Sequence, residues 1–219
     1  MKKLINLLHL NHKTFWTKEN IISLVFSILF LIIALSIQKF ADNYVIKTGG
    51  TVVGDIFLNN IPSFDIDKFI IFSTLACTFL TIILLIYKPS HLLFTIKSLA
   101  LFVIIRSFFI SLTHLGIHPH QIIFDSNTFG FWLYNLLYNS NNDFFFSGHT
   151  GIPFLIALIL QKDKFWRNIY FATSLVFGAS VIIGHIHYSI DVFAAPLITY
   201  SIYSIAKNCF KKDFELMNK

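Results

Sequence analysis

Ile21–Gln38 reads IISLVFSILFLIIALSIQ, eighteen consecutive residues without a charge. Crossing the ~30 Å hydrocarbon core of a bilayer takes about 20 apolar residues in a helix. The run is long for the apolar core of a signal peptide, and it has no clear small-residue cleavage site. It therefore reads as an uncleaved first membrane helix. Five further stretches approach the same length: Phe69–Tyr87, Leu92–Leu115, Phe144–Leu160, Ile169–Gly184 and Tyr188–Ala206. The stretches beginning at Phe144 and Ile169 are short and need tilted neighbours or interfacial side chains to complete a crossing. The expectation is an all-α polytopic membrane protein with six transmembrane helices.

Composition agrees. The 219 residues are 55% hydrophobic and only 13% charged, with 26 phenylalanines. A soluble domain carries about 25% charged residues, so the shortfall points to lipid as the solvent. The net charge of +6 does not indicate nucleic acid, because the cations form no single basic face. Cys77 and Cys209 are distant and single, as expected of inert packing residues rather than a disulfide or metal site.

The cations instead alternate between connections. Lys2, Lys3, Lys13 and Lys18 precede the first apolar run. Lys88 and Lys97 flank the short second connection, and Lys162, Lys164 and Arg167 fill the fourth. Lys207, Lys211, Lys212 and Lys219 follow the last run. The segment Ala41–Lys68 carries few cations and Gly116–Asp143 carries none. The positive-inside rule then places both termini in the cytoplasm. The expected organisation is a cytoplasmic segment 1–20, a single membrane domain 21–206 and a basic cytoplasmic tail 207–219. Gly116–Asp143 is too long for a tight hairpin. With Trp132, Tyr134 and Tyr138 it reads as an interfacial or partly re-entrant segment on the outer face, or simply as an aromatic belt.

Polar groups at the outer ends of the helices carry the chemistry. Ser147, Gly148, His149 and Thr150 open the fourth apolar run. His187 and Asp191 stand at i and i+4 at the start of the sixth, on one helical face. These types suit transfer at phosphorus. A neutral imidazole attacks a phosphoryl group, and a carboxylate one turn away orients the ring and stabilises its developing charge. A second histidine protonates the departing oxygen. His187 is the expected nucleophile, Asp191 its orienter and His149 the general acid. Ser147, Gly148 and the open backbone N–H groups of a helix start suit a phosphate. The plainer readings are a helix cap at Ser147 and an interhelical hydrogen bond at His187. Arg106 lies in an otherwise apolar run, where insertion costs at least ~2.5 kcal/mol. It either grips phosphate in two-pronged fashion or snorkels to the outer headgroups. His185 is a further candidate phosphate ligand.

The two motifs resemble the core motifs of the type 2 phosphatidic acid phosphatase superfamily, and more closely those of its sphingomyelin synthase-like branch. Asn142 to Thr150 follows that branch's Gly-Asp-x-x-Phe-Ser-Gly-His-Thr stretch except at the first Gly. His185 to Val192 follows its His-x-His-Tyr-Thr-Ile-Asp-Val stretch with Ser189 for Thr. Arg106, Thr113, Leu115 and Pro119 partly echo an earlier Arg-to-Thr-Leu-Pro motif, and Pro62–Asp65 weakly resembles a Pro-x-x-Asp element. The resemblance is specific from Asp143 to Tyr200. It implies a triad of His149, His187 and Asp191, and it adds Asp143 and Tyr188 as further site candidates. The superfamily's phosphatase branch has a Lys-x6-Arg-Pro motif that this chain lacks. It also has an Arg six residues before the nucleophile, where this chain has Val181. Those basic groups clamp a dianionic monoester, so their absence argues for a phosphodiester.

The resulting expectation is a lipid phosphotransferase or phospholipase C-like enzyme needing no metal or cofactor. Its partners are a phospholipid donor, a lipid hydroxyl acceptor or water, and the membrane itself. The active site lies at the non-cytoplasmic ends of the helices. Heavy use of Lys, Ile, Asn and Phe fits an AT-rich bacterial genome and hence a bacterial inner membrane. The rival readings are a lipid phosphate phosphatase, zinc-assisted hydrolysis at His149, His185, His187 and Asp191, and a non-catalytic transporter or scaffold.

Overall fold

A computed structural model describes residues 12–138 and 144–218. Its elements are helices α1 (Lys18–Thr48), α2 (Asp67–Tyr87), α3 (Leu92–Leu112), α4 (Phe131–Tyr138), α5 (Gly148–Ile159), α6 (Lys164–Ile183), α7 (Ser189–Cys209) and α8 (Lys211–Asn218). A single 3₁₀ turn, Pro89–His91, joins α2 to α3. The described residues contain no strand, only one isolated bridge between Thr51 and Leu115. Among the described residues, five helices are long and apolar enough to cross a membrane: α1, α2, α3 with its preceding 3₁₀ turn, α6 and α7. Large apolar side chains such as Phe26, Ile33, Phe79, Leu175 and Leu197 point outward, exposed. In water that surface is untenable; in a bilayer it faces acyl chains. The protein is an all-helical, multi-pass membrane protein.

The sixth expected crossing differs. Phe144–Leu160 supplies only the twelve-residue helix α5, about 18 Å long at 1.5 Å per residue. Ser147 sets its start. The Ser147 side chain accepts a hydrogen bond from Thr150 N–H at 3.3 Å, capping an open donor of the first turn. Phe144 and Phe146 are therefore irregular backbone whose rings enter the core. In the other direction, α1 is longer than expected, at 31 residues. Thr17 caps it and Gly49, at φ 71°, ends it. Its C-terminal end carries Lys39, Asp42 and Lys47, whose charges mask it from a reading by hydropathy.

α1 packs along α3, α5 sits between α6 and α7, and α3 meets α7. Their shared core contains Phe94, Phe102, Phe146, Leu155, Tyr170 and Ile202. At the end away from Ser147, Lys97 donates to Asp213 and to Ser23 (2.9 Å), and Ser23 donates to Asp213 at 3.1 Å. This ties α8 beneath α1 and α3. At the opposite end the two long connections cross. Thr51 N–H donates to His114 C=O at 3.2 Å, and Gly116 N–H to Thr51 C=O at 2.9 Å. A Cβ on Gly50 would lie within van der Waals overlap of the Leu115 carbonyl, and one on Gly116 would stand 2.8 Å from Gly50 O. Glycine is needed at both positions for this crossing, which folds residues 113–138 back over the helix ends.

Candidate active site

Two backbone features bring the motifs together. Ser147 N–H donates to Asp191 C=O at 2.8 Å, joining the start of α5 to the first turn of α7. Ser174 Oγ donates to Thr150 C=O at 2.7 Å, holding α6 alongside. In α7, Asp191 Oδ2 accepts from Tyr188 N–H at 3.2 Å, a third-position carboxylate satisfying a donor at the helix start. The same oxygen stands 3.3 Å from His187 Nδ1. His187 and Asp191 are buried. With Nδ1 turned to the carboxylate, His187 presents Nε2 as the opposite nitrogen.

His187 and His149 line one cavity of about 500 Å³, their ring centroids 6.1 Å apart. Arg106 and Gly148 line it too. Arg106 is buried in α3, and its Nε donates to Phe146 C=O at 3.2 Å. A Cβ on Gly148 would meet the Arg106 guanidinium at 3.7–3.9 Å, so the cation lies against the start of α5. Among the described lining residues Arg106 is the only permanent charge; the polar remainder includes Gln38, Gln121 and Asn135. Leu35, Phe102, Val103, Ile152 and Leu137 supply apolar wall.

Other sequence candidates fall outside this lining. His185 adopts the left-handed region at φ 54° and turns away. Its Nε2 pairs with Ile61 C=O at 3.0 Å and its Nδ1 faces His118 Nδ1 at 3.2 Å. Both imidazoles are held below the usual histidine range, chiefly by burial. Tyr188 also points away; its hydroxyl donates to Gly116 C=O at 2.9 Å. Ser147 is fully buried as a cap. Asp143 lies outside the described residues. The described residues contain no group of three or more His, Cys, Asp or Glu arranged to hold a metal ion.

The structure adds residues that sequence reasoning did not single out as site residues. Tyr134 Oη lies 3.0 Å from His149 Nε2. Asp55 Oδ2 accepts from Ser189 N–H at 2.6 Å, and its other oxygen accepts from Phe57 and Leu58 N–H. Burial raises the Asp55 carboxyl, but these amide donors outweigh it and hold the group below the usual carboxylate range. Asp55 thereby fixes the start of α7. The only advance sign of Tyr134 is its place in an aromatic, cation-free connection.

Residues 141–208 match the family model for the PAP2 superfamily C-terminal domain. The match supports membership of the type 2 phosphatidic acid phosphatase superfamily. It covers α5, α6, nearly all of α7 and the turn between α6 and α7, and so takes in His149, His187 and Asp191. At that level it supports a lipid enzyme of the phosphatase or phosphotransferase type. No curated protein and no solved structure gives a significant match.

Proposed function

We propose that the protein is a lipid phosphotransferase or phospholipase C-like enzyme of the sphingomyelin synthase-like kind. It takes the phospho-headgroup of a phospholipid onto His187 and passes it to a lipid hydroxyl or to water. The observation that carries this reading is the pairing of a carboxylate-oriented imidazole with a second histidine across a cavity whose only permanent charge, among the described lining residues, is Arg106. A single guanidinium matches the single negative charge of a phosphodiester, in two-pronged contact. A phosphate monoester at neutral pH carries more charge than the described lining residues balance.

In the first half-reaction His187 Nε2 attacks phosphorus. The P–N bond forms, the P–O bond to the diacylglycerol oxygen breaks, and that oxygen takes a proton from His149. Asp191 faces the charge that grows on the ring. In the second half-reaction the acceptor hydroxyl gives its proton to His149 as its oxygen attacks phosphorus and the P–N bond breaks. Arg106 stays on the phosphate oxygens throughout. The chain's own residues thus account for the proton and electron-pair movements of both halves.

Six crossings, with α5 completing its own by way of the irregular segment before it, would place the cavity on the non-cytoplasmic face. The cation-free connection over the site supports this orientation under the positive-inside rule. So do the cations Lys88, Lys162, Lys164, Arg167, Lys211 and Lys212 at other connections and after α7. In a bacterium the membrane would be the inner one. The test is incubation of purified protein with a panel of labelled phospholipids, with and without ceramide. A transferred headgroup, or diacylglycerol with a free phospho-headgroup, is the expected product. Inorganic phosphate released from phosphatidic acid, with no diester turned over, would instead identify the superfamily's phosphatase chemistry.

A further inference from the structure

The connection from Thr113 to Tyr138 is long for a link between two helices, yet it is tightly fastened. Asp67, at the start of α2, accepts from Asp125 N–H at 3.3 Å and from the Thr128 hydroxyl at 3.5 Å. Gly130 turns the chain at φ 82° against Leu75, and α4 begins at the next residue. The Tyr138 hydroxyl bonds Thr78 Oγ1 on α2. What this scaffold delivers is a pair of rings. Tyr134 stacks on Tyr138 at 5.6 Å and 24°. Both stack against His149, at 6.1 Å and 30° and at 6.0 Å and 28°. Phe124 closes the far side of Tyr134 at 5.2 Å.

We propose that Tyr134 is the positioning residue of the general acid: its phenol oxygen accepts the Nε2 proton of His149 and so fixes which ring nitrogen works on the substrate. The inference rests on the reaction proposed above. Because Nε2 is engaged by the phenol, the proton that moves is on Nδ1. It passes to the leaving oxygen as the P–O bond breaks and returns from the acceptor hydroxyl as the P–N bond breaks. Nε2–H stays on Tyr134 through both steps. The flanking ring faces favour the imidazolium that must be present before the first step. His187 and His149 would then be oriented alike, each with one nitrogen bound to an oxygen acceptor, Asp191 or Tyr134. The acceptors differ in charge to suit their roles. A carboxylate supports a ring that gains charge, and a neutral phenol leaves its ring able to give a proton up.

Tyr134→Phe keeps the ring stack and removes the oxygen. The expected loss of kcat on a natural phospholipid is roughly tenfold to a hundredfold, as for partners that orient a metal-bound histidine, with KM little changed. Among the described residues, the titratable and charged groups lining the cavity with His149 are Tyr134, Tyr138, His187 and Arg106. Of these, only Tyr134 loses a group in the variant. The alkaline limb of kcat should therefore move to lower pH, since the oxygen that favours the charged ring is gone. The nitrophenolate burst from a nitrophenyl phosphodiester, which needs no acid, should survive. Nitrogen-15 spectra of labelled histidine in detergent should show the Nε2–H tautomer of His149 in the parent and a mixture in the variant. Unchanged lipid turnover, pH limb and tautomer in Tyr134→Phe would overturn the inference. If His149→Ala and His187→Ala were inactive in that same experiment, the proposed function would stand without it. If those two variants were also fully active, the proposed function itself would fall.

Discussion

Replacing Asp191 by Asn separates charge from geometry at the nucleophile. The i, i+4 spacing alone suggests that Asn leaves His187 in the wrong tautomer, as in other carboxylate-oriented histidines, at a cost of about 10⁴ in kcat. The structure predicts a smaller loss. A single oxygen, Oδ2, accepts from both His187 Nδ1 and Tyr188 N–H. The Tyr188 amide can only donate, so it selects the rotamer that puts the Asn carbonyl in the Oδ2 place. That carbonyl still accepts from Nδ1–H, and the working tautomer survives. What disappears is the negative charge. A hydrogen bond to a charged group contributes about 1.5–3 kcal/mol against about 0.5–1.5 for a neutral one. The difference, on the order of 1–2 kcal/mol, is roughly 5- to 30-fold in rate. The new amide NH₂ takes the place of Oδ1, which is buried and has no hydrogen-bond partner among the described residues. A buried unmet donor costs about 1–3 kcal/mol of stability, so Asp191→Asn should unfold earlier while remaining active. Asp191→Ala removes both bonds and should lose about 10³-fold or more. The assay is steady-state headgroup release beside thermal unfolding in the same detergent. An Asn variant as inactive as the Ala variant would refute the shared-oxygen argument.

Arg106→Lys should keep the fold but lose roughly tenfold or more in kcat/KM, because a point-like ammonium does not reproduce a planar two-pronged contact; near-normal turnover would remove Arg106 from the phosphate site. Cysteine placed at Asp125 in a background lacking Cys77 and Cys209 should label from outside intact cells, and one placed at Lys164 should not; the reverse pattern would put the cavity on the cytoplasmic face. His118 and His185 are held below the usual histidine value by burial. The stability they contribute is present above about pH 6.5 and is lost as pH falls from there through their depressed folded-state values. Unfolding temperature should drop over that window, and less so in His118→Gln; an equal drop in that variant would assign the loss elsewhere.

The five long helices were legible because lipid demands long apolar runs, and composition records that demand directly. Where polar chemistry sets a boundary, apolar length misleads. Ser147 caps α5 so that it starts four residues later than Phe144, and the charged C-terminal end of α1 continues ten residues beyond Gln38. The closeness of His187 and Asp191 could be read from their spacing, but the shared helical face could not: His187 precedes α7, and Asp191 reaches back to it as the carboxylate that caps the helix start. His185 could not be placed that way. Its left-handed backbone turns it toward His118 and Ile61, and that turn depends on contacts with two distant loops. Tyr134 was hidden for the same reason. Its partner, His149, is fifteen residues away, and the pairing exists only because Asp67 and Thr78 hold the connection to α2.

The central claim is a covalent bond between His187 and the phospho-headgroup. Brief reaction of the purified protein with phospholipid carrying phosphorus-32, quenching at alkaline pH, and peptide mapping would read it directly. The expected result is an acid-labile, alkali-stable label on the peptide containing His187. It should be strongest without an acceptor, discharged by added lipid hydroxyl, and absent in His187→Ala. Steady turnover with no label on the parent protein, together with retained turnover in His187→Ala, would contradict the mechanism.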